Sequence, residues 1–118
     1  MKTILIAEDE VDIAETLQSY LEWVGYRVIL AFDGRDALHK AIEHMPDLIL
    51  TDMMMPRMDG PELIQEIHAT PALCHIPIIT MSAQSRGLEL PFFRKPFELP
   101  KLVAEIQRMV GEQGAPGN

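Results

Sequence analysis

Apolar residues along this chain follow two alternating patterns. Some form short unbroken runs, and others recur every three or four positions. The runs TILIAE (3–8), YRVILA (26–31), DLILTD (47–52), IPIITM (76–81) and the shorter PFFRK (91–95) predict strands. Between them, residues 12–24 place Ile13, Leu17, Leu21 and Val24 at helical spacing, with Gly25 as a C-terminal cap. Asp33 offers an N-cap to a second helix that turns Ala37, Leu38, Ala41, Ile42 and Met45 inward and stops at Pro46. Asp59 and Glu62 have the spacing of a capping box, and Pro61 sits in the first turn of a helix carrying Leu63, Ile64 and Ile67. A last helix, 98–110, buries Leu102, Val103, Ile106 and Met109, with Pro100 tolerated because it falls in the first turn. Runs apolar on both faces and separated by helices predict a parallel sheet covered on both sides, a doubly wound α/β domain.

Composition narrows the function classes. At 118 residues the chain is one domain by length, and 47% hydrophobic residues suit a compact fold. A net charge of −8 argues against nucleic acid and anionic membranes, both of which need a basic face, and suits cations or basic partners. The single cysteine, Cys74, permits no internal disulfide and reads as a half-buried packing residue. No stretch reaches the roughly 18 apolar residues of a membrane span, and MKTILIAEDE turns acidic too soon for a signal peptide. A cytoplasmic location is the resulting expectation.

Ligands of open parallel sheets bind beyond the carboxyl ends of the strands. The first strand ends in Glu8-Asp9-Glu10, the third in Asp52, the fourth in Ser82 and the fifth in Lys95. With the strands in the order 2-1-3-4-5, these ends converge on one rim. Singly, each has an ordinary role as a solvated acid, a turn residue or a surface charge; jointly they do not. Crowded carboxylates repel one another unless a cation neutralises them, and an oxygen-only donor set suits Mg²⁺. A carboxylate beside Mg²⁺ can attack phosphorus, and the phosphoryl oxygens then need an ammonium and a hydroxyl, which Lys95 and Ser82 would supply.

Over 1–110 the chain resembles the receiver domain of two-component response regulators, a flavodoxin-like fold. ILIAEDE matches the first-strand acidic motif, LILTDMMMPRMDG the phosphoacceptor strand and loop, PIITMSA the fourth strand, and FFRKPF the ending at the fifth. The resemblance implies Asp52 as phosphoacceptor, Asp9 as a direct Mg²⁺ ligand and Glu8 acting on the metal through water. It also implies the Met54 backbone carbonyl as a further ligand, Ser82 as the switch hydroxyl, Lys95 as the phosphate partner and Phe92 as the switch aromatic. Met53 and Met55 read as packing residues, while the Met54 side chain flanks the site. Residues 1–112 form the receiver domain and 113–118 a flexible tail. The implied partners are a sensor histidine kinase or phosphotransfer protein and a downstream protein target. The domain is a signalling phosphoacceptor, not an enzyme acting on a separate substrate.

The chain departs from the family between Ser82 and Lys95, where the segment AQSRGLEL is too short for the usual helix. Crossovers normally take about a dozen or more residues, yet an extended octapeptide still reaches roughly 26 Å. A coil or one turn is therefore expected there. Loss of that helix would uncover strands four and five, to be covered by Leu88, Leu90 and their neighbours or by a second copy in a homodimer. The alternative to a phospho-receiver is a degenerate receiver acting as a phosphorylation-independent interaction module. An aspartyl-phosphate phosphatase fits less well because Met54 stands where a second acid is common. A flavin-binding domain is disfavoured because Glu8-Asp9-Glu10 would repel a phosphate.

Overall fold

A computed structural model describes residues 1–82, 92–94 and 99–111, with the backbone alone for Ser82 and 92–94. The order of elements is β1 (Thr3–Ala7), α1 (Val11–Val24), β2 (Arg27–Ala31), α2 (Gly34–His44), β3 (Leu48–Asp52), α3 (Gly60–Ala69), β4 (Ile78–Ser82), β5 (Phe92–Arg94) and α4 (Leu99–Val110). The five strands form one sheet in the order β2-β1-β3-β4-β5, parallel throughout. Both the doubly wound class and the strand order match the sequence expectation. The 83–91 crossover, Lys95 and the 113–118 tail lie outside the described residues.

Alternation along the strands divides the core in two. Ile4, Ile6, Leu48, Leu50, Ile79 and Met81 face one side and pack on Leu17 and Leu21 of α1 and Leu102 and Ile106 of α4. Leu5, Ala7, Ile49 and Ile78 face the other, against Ala37 and Ala41 of α2 and Leu63 and Ile67 of α3. Each fully buried Leu or Ile contributes roughly 1.5–3 kcal/mol, so continuous apolar runs are what a sheet sandwiched between two helical layers requires.

Local signals explain the helix ends. Gly25 caps α1 at φ 118, a left-handed conformation that only glycine adopts at little cost. The Asp33 side chain accepts from the Asp36 N–H, and Asp59 with Glu62 forms the reciprocal capping box. Three inward assignments need correction. Ile42 is exposed because one residue beyond Ala41 lies about 100° off the buried stripe, which two small alanines already fill. Met45 is exposed because it is itself the C-cap, at φ 48, and has left the helical face. Cys74 is also exposed, on the turn after α3, where its thiol donates to the Pro71 carbonyl at 3.4 Å.

Candidate functional site

Register sets the site. Ala7 pairs with Thr51 and Asp52 with Met81, so β1, β3 and β4 end at neighbouring points on one rim. Immediately past β1, the Glu8 N–H donates to the Ala31 carbonyl at 3.0 Å, which ties the acidic segment to β2. Glu8, Asp9 and Asp52 each bring a carboxylate oxygen within 4.8 Å of the others. Glu8 is fully buried and Asp52 is 6% exposed, whereas Asp9 faces solvent. Three anionic groups so placed, two of them shielded from water, make a hard, oxygen-only donor set that suits a small divalent cation.

Backbone donors orient two of these acids. Asp52 Oδ1 accepts from the Met53 N–H at 2.8 Å and, more weakly, from Met54 N–H at 3.5 Å. Glu8 Oε2 accepts from the Glu10 N–H at 3.2 Å. The buried Thr51 hydroxyl donates to the Asp52 carbonyl at 2.9 Å, fixing the strand end that carries Asp52. Met54 is 77% exposed beside Asp52, while Met53 and Met55 are half-buried. Ser82 ends β4 on the same rim and Phe92 opens β5, but their side chains, like Lys95, lie outside what is described.

The loop from Met53 to Asp59 is held on both flanks, a feature sequence reasoning missed. At its start the Gly60 N–H donates to the Met53 carbonyl at 3.0 Å. Further along, Arg57 Nε and Nη2 both donate to Asp33 Oδ2, at 3.0 and 2.8 Å. Asp33 thus has two roles, since its Oδ1 caps α2 through the Asp36 N–H at 2.8 Å. No short-range pattern announces a pair 24 positions apart; only the fold brings the two together.

The Asp36 N–H, and after it Arg57, hold the Asp33 carboxyl below its ordinary value against the opposing effect of burial. A depressed folded-state pKa contributes stability that is present above the unfolded value, about 3.9, and is lost as pH falls through the folded one. Asp33→Asn keeps a competent cap but loses the charge. It should be about 1 kcal/mol less stable than wild type near neutrality. That gap should narrow as pH falls below the unfolded value and through the lower folded one, as read from urea unfolding across an acid pH series. A gap unchanged with pH would show that the carboxylate charge contributes nothing.

The chain matches the response regulator receiver domain family over residues 4–107. It is 42% identical over 115 residues to the response regulator GtcR of Aneurinibacillus migulanus, covering 90% of this chain and 46% of that protein. To the alkaline phosphatase synthesis transcriptional regulatory protein PhoP of Bacillus subtilis it is 36% identical, covering 92% of this chain and 48% of PhoP. The chain therefore spans about half the length of these relatives. Among solved structures, the Vibrio cholerae chemotaxis protein CheY4 superposes with a TM-score of 0.86 at 27% identity, covering 92% of this chain and 98% of that one. The receiver domain of a sensor histidine kinase from Pseudomonas aeruginosa PAO1 gives 0.86 at 30% identity, with 94% and 98% covered. Its structure holds a magnesium ion coordinated in the active site cleft. No helix among the described residues is long and apolar enough to cross a membrane. With a family match over nearly the whole chain, the same sheet order and an acidic pocket suited to Mg²⁺ and aspartate phosphorylation, this chain belongs to the response regulator receiver domains of two-component systems.

Proposed function

We propose that Asp52 accepts a phosphoryl group from a histidine kinase or phosphotransfer protein in an Mg²⁺-dependent reaction. Phosphorylation then changes how the domain binds its target or a second copy of itself. The observation carrying this reading is the burial of Asp52 at the C-terminal end of β3, within 4.8 Å of Glu8 and Asp9. Asp9 and Asp52 would hold the metal directly, Glu8 through water, and the Met54 carbonyl would complete the protein's share. Bound there, Mg²⁺ would neutralise the carboxylates and the charge developing on the phosphoryl oxygens.

The remaining chemistry belongs to the chain. In this reading the Met53 N–H holds Asp52 Oδ1, and Oδ2 is the attacking atom. The new bond joins Oδ2 to phosphorus as the phosphorus–nitrogen bond of the donor phosphohistidine breaks, and the imidazole leaves with its electron pair. Ser82 and Lys95 would then bind two phosphoryl oxygens, and Phe92 would follow Ser82 as the switch aromatic. Those three roles rest on the sequence motifs PIITMSA and FFRKPF.

Partner chemistry follows from the exposed surface. Along α1, Trp23 is 68% exposed with its ring 6.1 Å from that of Tyr20, above a groove lined also by Asp12, Glu15 and Leu99. Aromatic surface edged by carboxylates suits a basic amphipathic partner. A net charge of −8 disfavours nucleic acid as a direct partner of these 118 residues, while the target the domain controls can still bind DNA, as a transcriptional regulator such as PhoP would. Dimerisation through the strand 4/5 region is supported only by the short AQSRGLEL segment.

Titration with beryllofluoride and Mg²⁺, followed by amide NMR, tests the proposal. Shifts are expected at Asp52, Met53 and Met54 and spreading to β4. No response around Asp52 would instead favour the phosphorylation-independent module.

A further inference from the structure

The ion pair between Asp33 and Arg57 lies outside the acidic cluster yet grips the loop that borders it. Arg57 sits at φ 65, in the left-handed region that side-chain-bearing residues rarely adopt. Its side chain is 68% exposed, while the Asp33 side chain it grips is only 9% exposed and already fixed by capping α2. Next to it, the loop backbone presses on the first residue of α2. A Cβ built on Gly34 would fall 2.0 Å from the Met58 carbonyl oxygen. The Met58 N–H turns back to the Pro56 carbonyl at 2.7 Å, so the loop is tightly folded between its two anchors. An ion pair with one exposed partner adds little to global stability. Its effect is expected locally, on the conformation of the segment it ends.

We propose that the Asp33–Arg57 pair is a latch that sets the affinity of the Glu8/Asp9/Asp52 site for a divalent cation. It acts by holding the Met53–Asp59 loop, and with it the Met54 carbonyl, in register with Asp52. The inference rests on the reading that this cluster and the Met54 carbonyl bind Mg²⁺. Asp33 and Arg57 are positioning residues and touch no metal. Of the donors in that reading, the Met54 carbonyl is the one on this loop, and the Met53 N–H that orients Asp52 leads into it. Releasing Arg57 leaves the loop anchored at Gly60 and Gly34 but frees its middle.

Isothermal titration with MgCl₂ alone tests the latch on the full chain. Arg57→Gly removes the guanidinium and takes the left-handed conformation without strain, and Asp33→Asn keeps a helix cap while removing the charge. Each is expected to raise the Mg²⁺ Kd about tenfold, the lower end of what outer-shell partners of metal ligands do. The double variant should bind no more weakly than either single one, because both break the same contact. Arg57→Lys, which restores the charge without the fork, should recover part of the loss. In the metal-free proteins the Met53 and Met54 amide resonances should move together in both single variants. Affinities within twofold of wild type, or losses that multiply in the double variant, would overturn the latch. Asp52→Asn separates the two levels. If wild type binds no Mg²⁺, or Asp52→Asn binds as tightly as wild type, the metal site itself falls and the latch with it.

Discussion

Asp52→Asn is expected to give a folded protein that takes up no phosphoryl group and loses most of its stabilisation by Mg²⁺. The amide is nearly isosteric with the carboxylate, and its oxygen can still accept the 2.8 Å bond from the Met53 N–H. The backbone at the end of β3 therefore keeps its local support, including the Thr51 hydroxyl on the Asp52 carbonyl. The attacking oxygen of the proposed reaction is lost, because an amide oxygen is too poorly basic to displace a leaving group from phosphorus. One of the three charges that would attract a cation goes with it. A ligand that binds only the folded state at a hundred times its Kd stabilises by about 2.7 kcal/mol. For a domain of this size that corresponds to roughly 10 °C in Tm. Wild type should show a shift of that order between chelator and saturating Mg²⁺, and Asp52→Asn only a small fraction of it. Radiolabel from acetyl phosphate should enter wild type alone. Retained label in the Asn variant would move the phosphoacceptor to another residue.

Much of this was legible in the sequence for a physical reason. Strands buried on both faces have no polar side to interrupt them, so Ile4–Ala7 and Leu48–Leu50 stand out as unbroken apolar runs. Caps act over three or four residues, so Asp33 with Asp36 and Asp59 with Glu62 are readable locally. Strand ends fall where apolar runs stop, which exposed Glu8, Asp9 and Asp52 as neighbours once a parallel order was assumed. What sequence could not show depends on packing at a distance. Ile42 has helical spacing from Leu38, yet the buried face of α2 is filled by Ala37 and Ala41, leaving Ile42 53% exposed. Arg57 carries no local signal, because its partner is the N-cap of α2, 24 positions away. Gly60 enters the sequence picture only as the last residue of the LILTDMMMPRMDG match. Its steric role becomes visible only when α3 is seen against the end of β3.

That steric role makes Gly60 a sensitive position directly behind Asp52. A Cβ there would lie 2.4 Å from the Asp52 carbonyl oxygen and 2.7 Å from the Met53 Cα. Both are backbone atoms, so no side chain can rotate to relieve the contact. Either the first turn of α3 or the junction of β3 with its loop has to move. The Gly60 N–H bonds the Met53 carbonyl at 3.0 Å, so separation also weakens the link that keeps the two elements together. Gly60→Ala should therefore lose about 3 kcal/mol, the upper part of the range for overpacking a close contact. It should also weaken Mg²⁺ binding, because the atoms it displaces are those that carry and orient Asp52. Gly111→Ala is the control. Its φ is +85 but none of the described residues lies within 4 Å of the added methyl, so conformational strain of about 1–2 kcal/mol is the expected cost. Urea unfolding of both variants beside Mg²⁺ titration separates clash from strain. Only Gly60→Ala should change metal affinity. If it unfolds within about 1 kcal/mol of wild type, α3 can yield without disturbing β3. Asp52 would then owe its position to the sheet alone.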